Sequence, residues 1–123
     1  MNDDSDAPEH SPTAQVLQHW HDAVNAADLE AAVALCTDDV AVRGPRGVGH
    51  GHQLVRDWLT RSGIRLEPLE PLLERNGRFV LAERARWTTA ASEQVDTWCV
   101  FEVRDGLVSS IARYGDPSEV PQA

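Results

Sequence analysis

The chain has 123 residues, 41% hydrophobic and 25% charged, with 20 acidic side chains against 11 basic ones, all of them arginine, and a formal net charge of −9. A chain of this size builds one core rather than two, and its field repels phosphate backbones and anionic lipid, so neither nucleic acid nor membrane is an expected partner. Without lysine there is no Schiff-base chemistry. No stretch reaches the roughly 18 to 20 apolar residues of a membrane helix, and the acidic start MNDDSDAPEHSP lacks the basic-then-apolar order of a signal peptide, which points to a cytoplasmic protein.

Residues 1–12 and 117–123 are polar and proline-bearing, so they read as tails around a domain of residues 13–116. From Thr13 to Ala26 the apolar positions Val16, Leu17, Trp20, Ala23 and Val24 recur at helical steps, with Ser11-Pro12 as the start signal. Asp28 can cap a second helix whose stripe is Leu29, Ala32, Val33 and Cys36, ending at Thr37-Asp38-Asp39. A short strand, Val40 to Arg43, follows. The glycine-rich stretch from Gly44 to Gly51 predicts irregular structure, and Leu54, Val55, Trp58 and Leu59 mark a third helix that stops at Gly63.

Beyond Gly63 the period changes. Ile64 to Arg75 is extended and interrupted by two prolines, Asn76-Gly77 signals a hairpin, and Arg78 to Thr89 predicts a long strand. A turn is expected near Ala90 to Glu93, then strands Gln94 to Arg104 and Leu107 to Tyr114 around Asp105-Gly106. Helices first and an antiparallel meander afterwards describe an α+β fold. Cys36 and Cys99, in apolar segments with no metal-type spacing, read as buried reduced thiols.

Three segments carry a family likeness: Trp20 to Leu29 running on to Asp38-Asp39-Val40, Gly51 followed by Leu54-Val55-Arg56-Asp57-Trp58, and Phe101 to Val108. In their order and spacing they resemble the nuclear transport factor 2-like superfamily, in the branch of SnoaL-like polyketide cyclases, ketosteroid isomerases and limonene-epoxide-hydrolase-like enzymes. The likeness implies a cystatin-like cone, with three N-terminal helices packed on a curved antiparallel sheet around a small-molecule pocket. Fold alone does not give the reaction, which must be argued from the site.

The isomerase scheme of an aspartate base, a tyrosine and a neutral carboxylic acid is not retained. By resemblance those positions fall on Gly44, on Trp20, and on or beside Cys99. For the epoxide hydrolases, Glu83-Arg84-Ala85-Arg86 resembles the strand that carries the aspartate–arginine–aspartate set. Arg84 stands on the arginine position, while Arg86 and Arg113 replace the two aspartates, and a guanidinium cannot accept a proton at neutral pH.

Of the histidines, His19 and His21 flank Trp20 so that at most one points inward, and none of the five has an identifiable partner. His50 and His52 lack a third ligand for a metal. Glycines 44, 47, 49 and 51 lack the lysine and spacing of a phosphate loop, so neither a metal nor a cofactor is expected.

The resemblance places Trp20, Trp58, Arg84, Arg86, Cys99, Phe101, Ile111 and Arg113 on the pocket. That implies an apolar ligand with an anionic group, handled by a cyclase, isomerase or hydrolase of unassigned specificity or by a noncatalytic binding or accessory domain. Strand alternation leaves a second possibility, in which Phe79, Leu81, Ala85 and Trp87 form the core face and both Arg84 and Arg86 face solvent. On the first parity Leu81, Trp87, Trp98 and Val100 make an apolar outer face, which predicts a homodimer. A two-residue turn at Asp105-Gly106 would set Cys99 and Phe101 beside Ala112 and Ser110. A three-residue loop with a glycine bulge, the expected form, sets them beside Ile111 and Ser109 and turns Arg113 inward.

Overall fold

A computed structural model describes residues 11–44, 47–72, 74–75, 78–88 and 90–120. Helix α1 spans Pro12–Asn25, with the Ser11 hydroxyl accepting from the Ala14 N–H and Pro12 in the first turn, where its missing N–H costs nothing. The buried stripe is Ala14, Leu17, Trp20, His21, Ala23 and Val24. Helix α2 is Leu29–Ala34, capped by the Asp28 side chain. It is shorter than the apolar stripe predicts, because the Leu35 carbonyl accepts from Val108 N–H at 2.8 Å and Cys36 pairs with Val108, drawing the chain into strand β1, Cys36–Gly44.

The expectation of irregular structure after Gly44 is corrected. Gly47–His50 is strand β2, antiparallel to β1 from Ala41↔His50 to Gly44↔Gly47. Pro45 and Arg46 lie outside the described residues. Helix α3, His52–Ser62, ends at Gly63, whose φ of 59° is the left-handed cap that glycine adopts without strain.

Strands β3 (Ile64–Pro68), β4 (Glu74–Arg75), β5 (Arg78–Trp87), β6 (Ala90–Arg104) and β7 (Leu107–Tyr114) complete the set. The turn expected over Ala90 to Glu93 is instead the start of β6, held by the pairing Trp87↔Ala90. The hairpin signal Asn76-Gly77 lies outside the described residues, flanked by the pair Arg75↔Arg78. The sheet runs β2-β1-β7-β6-β5-β3, with β4 on β5. Its pairs are antiparallel except β1 with β7, a parallel pair that the predicted all-antiparallel sheet did not include.

Two devices decide which side chains face the helices. Asp105 and Gly106 both have positive φ, 54° and 78°, forming a two-residue turn rather than the expected three-residue loop. A bulge at Ser109 then shifts the register between Val103↔Val108 and Glu102↔Ser110. The extra residue flips β7, so Cys99 pairs with Arg113 and Phe101 with Ile111. The expected inward set is reached by a different route.

On β5 the row Phe79, Leu81, Glu83 and Ala85 is buried. Leu81 and Trp87 therefore belong to the inner side, not to the outer face proposed for dimerisation, whereas Val80, Trp98 and Val100 face outward on the even parity. The Asn25 carboxamide donates to the Leu66 carbonyl and accepts from the Leu66 N–H, both at 2.8 Å, tying the end of α1 to edge strand β3.

Candidate functional site

Helix α3 buries Val55 and Leu59 completely against the core, which leaves Leu54 and Trp58, one flank of the same stripe, half-buried. They face the β1–β2 hairpin across a cavity of about 480 Å3. The hairpin contributes Val42, Gly44, Gly47, Val48 and Gly49, with Arg43 at the rim, and β7 contributes Ile111 and Arg113. This volume suits a small organic ligand, and most of the wall is apolar.

Arg113 is the polar group that the bulged register aims inward. Its guanidinium carbon lies 5.5 Å from the centre of the Trp87 ring, a cation–π distance. Its Nε–H is buried and has no hydrogen-bond acceptor among the described residues. The surface behaves differently: Arg56, Arg84 and Arg104 reach Glu30, Asp96 and Asp39 at 3.1, 3.2 and 2.7 Å. In a chain rich in carboxylates, the cavity arginine has no ion-pair partner among the described residues.

Of the other residues expected on the pocket, Trp58 and Ile111 line this cavity. Trp20, Cys99 and Phe101 are fully buried in the layer beneath it, where Trp20 and Phe101 pack edge to face at 5.4 Å. Arg84 and Arg86 are corrected. The odd row of β5 packs on the helices, so the even row faces away, Arg84 on Asp96 and Arg86 exposed. With Arg84 outside, the epoxide-hydrolase correspondence loses the one residue it retained.

A buried pair was not anticipated. His21 and Glu83 are 1% and 0% exposed, with His21 Nε2 at 2.9 and 3.0 Å from the two carboxylate oxygens and Nδ1 donating to the Leu17 carbonyl at 2.9 Å. The signal available was helical phase: His21 is four residues beyond Leu17 on the buried stripe, while His19 falls on the exposed side. Cys99 sits near Glu83 and Arg113, and burial, reinforced by the Glu83 charge, pushes its thiol well above the usual range. His52 Nε2 bonds the Cys36 carbonyl at 3.0 Å at the start of α3, and the described residues contain no cluster of three metal-ligating side chains.

The model of the SnoaL-like domain family matches residues 17–111. No curated protein matches the chain. Among solved structures, an NTF2-like protein of unknown function from Cytophaga hutchinsonii superposes with a TM-score of 0.75 at 15% identity, covering 86% of this chain and 91% of that one. TerC, co-crystallised with polyporic acid, superposes at 0.74 with 20% identity over 88% and 94% of the two chains. A provisionally named ketosteroid isomerase from Kribbella flavida gives 0.72 at 20% identity over 91% and 84%. At these identities the likeness concerns the fold.

Proposed function

The chain belongs to the SnoaL-like domain family and has the nuclear transport factor 2-like fold, and from that premise we propose that its cavity binds an apolar small molecule carrying an anionic group, as a binding or accessory domain. The observation that carries this reading is Arg113, a guanidinium on an apolar wall with a buried N–H and no carboxylate partner among the described residues. Desolvating such a cation is costly unless an anion accompanies it. TerC, which shares the fold, was co-crystallised with an acid.

A catalytic reading would have Arg113 steady a developing oxyanion, with His21 and Glu83 moving the proton. The exposures of that pair argue against it, since a proton carrier must come within hydrogen-bond reach of the ligand. The ionisable side chains of the described wall are Arg43 and Arg113, which neither take nor give a proton near neutral pH.

The reading extends to a homodimer through the outer sheet face, where Trp98 and Val100 stand beside Val80, an apolar side chain 44% exposed. Free buried thiols at Cys36 and Cys99 suit a reducing, cytoplasmic setting. No helix among the described residues is long and apolar enough to cross a membrane. We take residues 13–116 as the working domain. Native mass spectrometry after incubation with aromatic and alicyclic carboxylates tests the binding reading. One adduct per chain is expected, and unmodified protein with every member of the panel would overturn it.

A further inference from the structure

We propose that the cavity is a slot for one flat, conjugated monocarboxylate; this rests on the binding reading above and specifies its ligand. The charged end is defined by Arg113. Its guanidinium is held over the Trp87 ring rather than free in solvent, and the planar fork of a guanidinium matches the two oxygens of a carboxylate. Among the described lining residues Arg113 is the inward cation, with Arg43 exposed at the rim, and within a protein of net charge −9 this suits one negative charge and disfavours a polyanion.

The body of the ligand is defined by the facing walls. From α3 come Trp58 and Leu54; from the hairpin come Gly44, Gly47 and Gly49, which present peptide planes without side chains. Two of these glycines have structural reasons. Gly47 has a φ of 124°, and a Cβ at Gly49 would stand 2.6 Å from Leu54 Cδ2. Gly44 has neither: its φ lies outside the left-handed range, and a Cβ there would meet no atom of the described residues within 4 Å. Neither backbone nor packing among the described residues asks for glycine at that position, and Gly44 lines the cavity on the strand parity of Val42, which pairs with Ile111, so the open space beside it faces the cavity.

A ring stacked on the Trp58 indole, with the side-chain-free strand opposite, would meet flat surfaces on both sides. A conjugated ring fits such a slot, and a puckered saturated ring of the same outline is thicker. The ligand therefore lies with its face on the Gly44 strand, one edge toward Ile111, and its carboxylate at Arg113.

Calorimetric titration with three matched probes tests this: 2-naphthoate, its decahydro analogue and the neutral 2-naphthalenemethanol. Wild type should bind 2-naphthoate at least about tenfold more tightly than either of the others. Gly44→Val should weaken 2-naphthoate by about tenfold or more while the protein keeps its circular dichroism and cooperative melting, since a Cβ there meets no atom of the described residues within 4 Å. Equal wild-type binding of the naphthoate and its decahydro analogue would overturn the flat slot, as would undiminished naphthoate binding by a folded Gly44→Val. Equal binding of the naphthoate and the alcohol would overturn the carboxylate end. In each case the pocket reading survives, whereas wild type binding none of the three removes that reading. The wild-type comparisons decide the question without the variant.

Discussion

His21 Nε2 lies almost equally far from both Glu83 oxygens, 2.9 and 3.0 Å, across 62 residues of sequence and in a fully buried setting. Because Nδ1 faces the Leu17 carbonyl and donates to it, Nε2 can meet a carboxyl group only if the pair shares a further proton. This pair joins α1 to the middle of the sheet. Removing one partner leaves a buried polar group unmatched, so Glu83→Ala and His21→Ala should each cost about 3–5 kcal/mol. The double replacement His21→Phe with Glu83→Leu should cost less than either single change. Urea unfolding of the four proteins checks this, and a double variant that loses as much as either single change would contradict it.

The two thiols predict alkaline sensitivity. Burial raises Cys36 from 9.0 to about 11, against a smaller opposing effect of the Trp20 indole, and raises Cys99 well above its usual value. A raised folded-state pKa means that the folded protein keeps protons the unfolded chain has lost. The contribution is complete below pH 9 and is lost as pH rises toward the folded value. Unfolding free energy should fall between about pH 9 and 11, and more gently in Cys36→Ala and Cys99→Ala. Identical slopes in wild type and the double variant would contradict this.

Trp98 tests the outer face. Its strand neighbours on that face are Ala82 and Tyr114, with Arg84 one step along and already paired with Asp96, so a carboxylate placed there would have to be desolvated in a sheet-to-sheet dimer. Trp98→Glu should elute as a monomer with its circular dichroism unchanged. A wild type that remains monomeric in light scattering at high concentration would exclude the dimer.

The helices were legible where apolar spacing was clean: α1 and α3 begin and end within a residue or two of their caps, as Ser11 and Gly63 suggest. Strand β5 was harder because Val80 and Leu81 are adjacent apolar residues and Glu83 interrupts the inner row with a charge. The helical partner that lets Glu83 be buried, His21, is too distant in sequence to be read from local pattern. That is why Arg84 and Arg86 were open to assignment on either face. The inward direction of Arg113 depends on the bulge at Ser109, a register shift that no turn signal in the sequence marks. Strand β2 is not legible in the sequence because glycine carries little strand preference, and pairing with β1 overrides it.

The central claim is that Arg113, not Arg84 or Arg86, receives the ligand's charge. Calorimetric titration of wild type, Arg113→Met and Arg84→Met with an aromatic carboxylate tests it most directly. Arg113→Met should bind about ten- to a hundredfold more weakly, the loss of a charge-assisted hydrogen bond, while Arg84→Met, altered only at its surface contact with Asp96, should match wild type. Equal affinity of wild type and Arg113→Met, or a loss confined to Arg84→Met, would contradict the account.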